Sequence, residues 1–507
     1  MNRKIGVVLS YAMMIFEVLS TLLLTPFIIK SLGQAEYGVY KLSASITAYL
    51  LLLDLGVGTA ITRYIAKYKV TGEQEKARTF FGVVTCYYVA IAFISLFIGI
   101  FLIVLFPVVF AKGLSADEIL IGQKLLSVTI INASVTLATT AYSNIIIAYE
   151  NFFVSKGVPI IQIIIRIIFS FIVLKLGWGS LGVVIVNLIV TILSRAYFVL
   201  YVFIKIKLIP KFKGISFDFV KEIISYSSLI LLQIIATQIN SSIDQILLGS
   251  LVSSSATILA IYSVGAQITQ YFQTIGSSFT GVLMPGLVKM IENKATPKML
   301  TNEMIRIGRL VFMVLGIVWG VFLVCGRQFI TLWAGPENAK AYIVAILLMT
   351  AYLFILTESV GSQILWAMNK HKEQAILKFI IVLINIGLTI FLIKWKPLLG
   401  ATVGTFISLL LGDIVVMNLI FVKKIKIRLF DYYKGLLHKI IPCLVLSVLI
   451  GFVTKMLLPA NEISFIVIVL VMCVTYALLM YFFGMTLYEK SLVTSVLQKF
   501  KRKKEHF

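Results

Sequence analysis

The chain has 507 residues, of which 60% are hydrophobic and only 13% are charged. Because a soluble domain carries about a quarter of its residues as charges, this composition excludes a water-soluble globular protein and predicts one embedded in lipid. The net charge of +24 would point to nucleic acid in a soluble protein. In a membrane protein the excess Lys and Arg belongs in the loops of one side, so no nucleic-acid partner is predicted.

Fourteen apolar runs are long enough to cross a bilayer as helices, which takes about 20 residues each. The first run is too long for a cleaved signal peptide and contains no small-residue cleavage signal. The predicted spans are Ile5–Ile29, Tyr37–Thr62, Thr79–Phe106, Ile119–Tyr142, Gly157–Leu174, Leu181–Ile204, Ile223–Leu251, Ile258–Met284, Ile307–Ile330, Ala341–Met368, Ala375–Ile393, Leu398–Val422, Ile440–Leu458 and Ile463–Phe483. The sequence therefore predicts an all-α polytopic membrane protein with 14 transmembrane helices.

The loop charges orient these spans. With a cytoplasmic N-terminus, most of the 45 Lys and Arg residues fall in cytoplasmic loops and in the basic tail that begins at Lys499. This distribution predicts that both termini are cytoplasmic, in an inner or plasma membrane.

The chain also contains a weak internal repeat. Tyr40-x-x-x-x-Ser-Ile-Thr-Ala-Tyr49 resembles Tyr262-x-x-x-x-Gln-Ile-Thr-Gln-Tyr271. This pairs the second span with the eighth and indicates two pseudo-symmetric halves, as expected when one half of a transporter moves against the other.

Ionisable residues inside spans cost about 2.5–3.5 kcal/mol each, so they are functional candidates by default. Arg166 lies mid-span, where it must pair with a carboxylate or face a wet cavity. The other candidates are Glu17, Asp54, Arg195, Asp244, Glu358 and Asp413, with Arg63 at a span's cytoplasmic end. Structural roles stay open for several of them, such as snorkelling or a neutral hydrogen-bonded carboxyl.

The seventh predicted span has a hydrophilic face, which indicates a cavity lining or a helix interface. That face comprises Gln233, Gln238, Asn240, Ser241 and Asp244. Because guanidinium groups match phosphate oxygens, arginines facing a cavity would bind a phosphate or diphosphate. We therefore expect substrate binding at Arg166, Arg195, Arg63 and Asp54. We expect a polar cavity or a coupling role at Glu17, Gln238, Asn240, Asp244 and Glu358.

Catalytic motifs are not found in the sequence: it has no P-loop, nucleophile elbow or metal triad. The four cysteines fall in apolar runs, and His371, His438 and His506 form no cluster. We expect a protein that is not an enzyme and binds no metal or cofactor, apart from a coupling ion, H⁺ or Na⁺.

Several motifs resemble those of a known family. The stretches are Leu32-Gly-Gln-Ala-Glu-Tyr-Gly-Val-Tyr40, Asp54-Leu-Gly-Val-Gly-Thr-Ala-Ile-Thr-Arg-Tyr64, Asp244-Gln-Ile-Leu-Leu-Gly249, Tyr262-Ser-Val-Gly265 and Gly281-Val-Leu-Met-Pro285. They resemble the Wzx-type polysaccharide flippases of the polysaccharide transporter family, in the MOP superfamily that also contains MurJ and the MATE exporters.

The resemblance implies two pseudo-symmetric six-helix bundles plus two C-terminal helices. The bundles would be residues 1–204 and 222–422, joined by a cytoplasmic linker at 205–221 and followed by helices 13–14 and the basic tail at 423–507. It also implies a central cavity and alternating access, coupled to a cation gradient.

The implied substrate is an undecaprenyl-diphosphate-linked oligosaccharide, moved from the inner to the outer leaflet for capsule or O-antigen. The implied partners are this lipid-linked oligosaccharide, the lipid bilayer, a polysaccharide polymerase and chain-length proteins. A flippase for a lipid II-type peptidoglycan precursor and a MATE-type exporter are alternatives. A membrane-embedded polysaccharide polymerase fits less well, because the predicted outer loops are short and lack histidine.

Overall fold

The computed structural model describes residues 3–212, 217–278, 284–368, 370, 372–459 and 461–494. His371, His506, the tail from Lys499, the side chain of Gln233 and positions 281–283 of one family motif lie outside the described residues. Across these ranges the regular elements are all helical, which confirms the all-α class.

Eighteen α-helices follow one another along the described chain. They are α1 (Arg3–Leu50), α2 (Val57–Thr71), α3 (Gln74–Phe110), α4 (Ala116–Ala148), α5 (Phe152–Lys175), α6 (Gly179–Tyr201), α7 (Phe217–Leu251), α8 (Ala256–Ser277), α9 (Met284–Glu292), α10 (Pro297–Ala334), α11 (Ala341–Thr357), α12 (Ser359–Ala367), α13 (Lys372–Ile393), α14 (Pro397–Leu409), α15 (Met417–Ile425), α16 (Leu429–Leu437), α17 (Ile440–Leu457) and α18 (Glu462–Leu479).

Among the described residues, 10 helical segments are long and apolar enough to cross a membrane, or 11 if the bent pair α11–α12 is one span. One of them, Val8–Thr71, has 64 residues and would be about 96 Å long, three times the hydrocarbon thickness. The predicted seventh and eighth spans are helical as α7 and α8 but are not among these segments. The multi-pass membrane class is therefore confirmed, and the count of fourteen stays a prediction.

The helices form two compact units. The first unit comprises Met1–Ser263 and Lys378–Thr405, and the second comprises Val264–Leu377 and Phe406–Phe507. In the second unit, α10 packs against α11, α16, α17 and α18. The division predicted from the sequence, at 204, 222 and 422, stays a prediction.

The first family motif has a structural explanation within the first unit. Gly33 has φ 76° and ψ 171°, a conformation that favours glycine, and it breaks α1 between the first two predicted spans. Glu36 Oε1 accepts the Ser180 N–H at 2.7 Å, so a carboxylate lies at the positive end of α6. A Cβ at Gly38 would lie 2.0 Å from the Ala256 carbonyl oxygen. The motif thus turns the chain and fixes α1 against α6 and α8.

Candidate functional site

A polar cavity of about 130 Å³ lies among α1, α5 and α6 of the first unit. Two half-buried cations, Lys41 and Arg166, line it together with Tyr40, Asn187 and the hydroxyls of Ser20, Thr21, Thr25 and Ser170. The Ser170 hydroxyl is fully buried and has no hydrogen-bond partner among the described residues. The cavity therefore presents two positive charges and several hydrogen-bonding groups within membrane-embedded helices.

Lys41 was not among the residues predicted from the sequence. Its Nζ lies 5.5 Å from the Tyr37 ring centroid, four residues earlier on α1, which is the spacing of neighbours on one helix face. A lysine this close to the start of a predicted span normally reaches the interface. The sequence signal that marks it is the polar row Tyr37, Tyr40, Lys41 at helical spacing.

The other predicted substrate-binding residues make their described contacts elsewhere in the first unit. Arg195 donates to Ser143 Oγ at 3.4 Å and lies 5.9 Å from the Phe198 ring. Arg63 is exposed on α2. Of the four, Arg166 alone lines the polar cavity.

Asp54 lies where the second predicted span is interrupted. A 3₁₀ turn at Leu51–Asp54 is followed by Leu55 at φ 52° and Gly56 at φ 75°, and α2 begins at Val57. Backbone groups freed inside a membrane need partners, and the Tyr87 hydroxyl lies 3.4 Å from the Asp54 carbonyl oxygen. The Asp54 carboxylate accepts the hydroxyl of Tyr88. These contacts give Asp54 a structural role at the break.

A buried cluster of oxygen atoms surrounds Asp244, which is 2% exposed on α7. Its carboxylate accepts hydrogen bonds from the hydroxyls of Tyr262 (2.5 Å), Thr389 (3.2 Å) and Thr405. Asn385 Oδ1 also lies 3.0 Å from the Thr389 hydroxyl and 3.1 Å from that of Thr405. The cluster therefore joins α7, α8, α13 and α14 within the first unit.

The two threonines of this cluster have more hydrogen-bond acceptors within reach than they have protons to donate. Each threonine hydroxyl has one proton but lies within reach of both the Asp244 carboxylate and the Asn385 amide oxygen. Carboxylate, amide and hydroxyl oxygens are the ligands that hard cations prefer. With a single formal negative charge, the cluster has the chemistry to hold a proton or one small monovalent cation.

Two other predicted polar residues of α7 make hydrogen bonds, one of them to this cluster. Asn240 Oδ1 accepts from Asn385 Nδ2 at 2.8 Å, which turns the Asn385 carbonyl towards the threonines. Gln238 donates to Ser242 on its own helix at 2.8 Å. Glu17, by contrast, is exposed on α1.

Glu358 forms a separate buried site in the second unit. It lies between α11 and α12, which are bent by 41° relative to each other, and it is 3% exposed. Asn418 Nδ2 donates to both carboxylate oxygens at 3.0 Å, and the Tyr433 hydroxyl also donates. The carboxylate thus links the bent span to α15 and to the short helix α16.

Arg309, 5% exposed on α10, was also missed by the sequence reasoning. Its Nε donates to Glu489 Oε1 at 2.6 Å, and its Nη2 donates to Glu489 Oε2 at 3.0 Å and to the Gly484 carbonyl at 2.7 Å. Its Nη1 donates to the Gly435 carbonyl at 3.0 Å. Burial acts to raise the pKa of Glu489, but the hydrogen bonds from Arg309 and Thr486 outweigh it and hold that pKa below its usual value.

Comparison with known proteins identifies the family. Residues 6–291 match the polysaccharide biosynthesis protein family. A relative from Bacillus subtilis (strain 168), the uncharacterized membrane protein EpsK, is 24% identical over 419 residues, which cover 77% of each chain.

Solved structures match the fold. The lipid II flippase MurJ in an inward closed conformation has a TM-score of 0.73 at 16% identity, covering 96% of this chain and 99% of that one. A multidrug resistance MATE transporter in an inward-facing conformation has a TM-score of 0.61 at 14% identity, covering 80% and 95%. The fold therefore resembles that of these two membrane proteins.

Proposed function

We propose that this chain, which belongs to the polysaccharide biosynthesis protein family, is a flippase for an undecaprenyl-diphosphate-linked oligosaccharide. It would move this lipid from the inner to the outer leaflet of a bacterial cytoplasmic membrane by alternating access. The observation that carries the proposal is the pair of cations, Lys41 and Arg166, that lines one polar cavity within the membrane-embedded helices.

The charge of the cavity favours an anionic substrate. A charged side chain within the bilayer costs free energy, and two cations that face the same cavity also repel each other. An anion bound between them would reduce both the cost of burial and the repulsion. A guanidinium fork and a point-charge ammonium are the groups that bind phosphate oxygens in proteins. A cavity of about 130 Å³ suits a phosphate group, so the sugars would lie outside it.

The proposed topology has fourteen spans, with both termini in the cytoplasm. Three facts support it: Val8–Thr71 is too long for one crossing, α7 and α8 are helical where spans were predicted, and the basic residues concentrate in alternate loops. The six-plus-six-plus-two division belongs to the same proposal.

Coupling to a cation is proposed at the Asp244 cluster. Its oxygen ligands and single negative charge suit H⁺ or Na⁺, and it lies in the same unit as the cationic cavity. Glu358, buried with hydrogen-bond donors of its own, is the corresponding candidate in the second unit. We therefore expect transport to depend on a cation gradient.

A lipid II-type flippase is the main alternative, because the fold resembles that of MurJ over nearly the whole chain. A MATE-type exporter of cationic compounds fits two cavity cations less well. The family description favours polysaccharide precursors over both. A polymerase would need a catalytic residue set that the sequence does not provide.

The test is transport of the diphosphate-linked oligosaccharide across vesicles that contain the purified protein. Arg166→Gln and Lys41→Gln should each slow transport at least about tenfold, because a hydrogen bond to a charged group contributes about 1.5–3 kcal/mol. Lys175→Gln is the matched control, since this lysine is exposed at the end of the same helix, α5.

Wild-type rates for both cavity variants, in protein shown to be inserted, would refute the site. Preferential transport of a lipid II-type precursor by the same vesicles would replace the proposed substrate with the alternative.

A further inference from the structure

The short helix α16 is held at a membrane surface by its position in the chain. One membrane-spanning segment ends at Ile425 and the next begins at Ile440. The connection of residues 426–439 is too short to carry α16 far from the bilayer, so the helix lies at the level of the lipid headgroups.

The two faces of α16 have opposite character. Tyr432 and Leu436, four residues apart, are fully buried in the second unit. Phe430 is 78% exposed, and Lys434, four residues later, is exposed on the same face. This arrangement, with one exposed aromatic ring beside a lysine on a surface helix, is typical of segments that bind the membrane interface.

The exposed side chains around α16 are mostly basic. The exposed basic residues are Lys423, Lys426, Arg428, Lys434 and Lys439. One exposed acid lies beside them: the Asp431 carboxylate is 3.8 Å from the Arg428 guanidinium. The surface is therefore positively charged, and clusters of Lys and Arg next to a span attract anionic lipid headgroups.

The buried face of α16 contacts the bend in the α11–α12 span. The Tyr433 hydroxyl donates to Glu358, the residue at the bend, and the Tyr432 hydroxyl donates to the Thr357 carbonyl at 3.3 Å. The Gly435 carbonyl accepts from buried Arg309 on α10. These contacts connect α16 directly to the backbone and the buried carboxylate at the bend.

We propose that the exposed face of α16 binds anionic phospholipid headgroups, and that this binding holds Tyr433 on Glu358 and orders the bend. The occupant is the anionic phospholipid of the surrounding bilayer, chosen because the surface combines exposed cations with an exposed aromatic ring. The proposal does not depend on which substrate the protein moves, and it assigns the bend a sensitivity to membrane charge.

The experiment compares the full chain in nanodiscs of phosphatidylcholine with the same discs containing phosphatidylglycerol. Hydrogen exchange is measured on backbone amides at 354–362, because exchange reports local opening. Wild-type protein should exchange more slowly at the bend when phosphatidylglycerol is present. The double variant K434Q/K439Q should bind phosphatidylglycerol about 30-fold more weakly and lose this protection.

Two further variants separate lipid binding from its effect on the bend. Lys294→Gln with Lys298→Gln removes two exposed lysines elsewhere in the second unit and should leave both the binding and the protection unchanged. Tyr433→Phe should keep the binding but lose the protection, because it removes the hydroxyl and leaves the lipid-facing side intact. Equal exchange in both lipids for wild type, or equal losses in the control variant, would overturn the proposal.

Discussion

The ion pair between Arg309 and Glu489 joins three parts of the second unit: α10, the short helix α16 and the segment after α18. Both side chains are buried, at 6% and 3% exposure. Arg309 uses four donated hydrogen bonds, two to the carboxylate and two to backbone carbonyls. We predict that this pair is the main interaction that holds the segment after α18 against α10 and α16.

The size of the effect follows from burial. Breaking a buried pair by removing one partner typically costs about 3–5 kcal/mol, because the remaining charge stays buried without compensation. Arg309→Met and Glu489→Leu should therefore each lower the free energy of unfolding by about that amount. The double variant with Met at 309 and Leu at 489 should recover much of the loss, since it leaves no buried charge.

Thermal unfolding of the four proteins in one detergent, followed by tryptophan fluorescence, completes a double-mutant cycle. Limited proteolysis after α18 reports directly on release of the C-terminal segment. Single-variant losses below about 1 kcal/mol, the range of surface pairs, would show that the pair is not structurally important. A double variant less stable than either single variant would refute the burial argument.

The same pair gives a pH dependence with a defined sign. Because the pKa of Glu489 is lower in the folded protein than its usual value of 4.5, its contribution to stability is complete above that value. The contribution is lost as the pH falls below 4.5 and through the folded pKa. Glu489→Gln should lack this part of the pH dependence, and an identical pH profile for both proteins would contradict the assignment.

Three other predictions test the first unit. Asp244→Asn should abolish the dependence of transport on a Na⁺ or H⁺ gradient without unfolding the protein, whereas a preserved gradient dependence would remove the cluster from the coupling mechanism. Gly38→Ala should lower the free energy of unfolding by about 1–3 kcal/mol through overpacking. Its control is Gly157→Ala, whose added Cβ has nothing within 4 Å, and which should be neutral or stabilising. Equal melting temperatures for the two variants would count against the close contact at Gly38. Tyr88→Phe should cost about 1–3 kcal/mol by leaving Asp54 short of a donor, measured by thermal unfolding against Tyr11→Phe, an exposed control.

The class of the protein could be predicted from the sequence because lipid solvation leaves a strong compositional signal. Both α7 and α8 are helical where spans were predicted, although α7 carries Asp244 and other polar residues.

The partners of the predicted residues were beyond sequence reasoning. Asp244 is recognisable as an acid on a polar helix face, but Thr389 and Thr405 reach it from more than 140 positions away and look like ordinary threonines in apolar helices. Glu358 was predicted as a polar-cavity or coupling residue, whereas the contribution of Tyr433 depends on α16 folding back against the bend. Such pairings are set by tertiary packing, which one sequence does not encode locally.

The turn at Gly33 also affects how the topology of this protein can be mapped. Reporter fusions and inserted epitopes are usually placed in the loop between two spans, because exposed loop tips tolerate insertion. Here α1 breaks at one glycine, and within five residues the chain is hydrogen-bonded to α6 through Glu36 and in close contact with α8 at Gly38. An insertion at this connection would disrupt packing as well as add a tag, so its failure would carry no information about sidedness. The exposed turn at Lys394, Trp395 and Lys396, between α13 and α14, lies on the same side in the proposed topology and is a better place for a reporter.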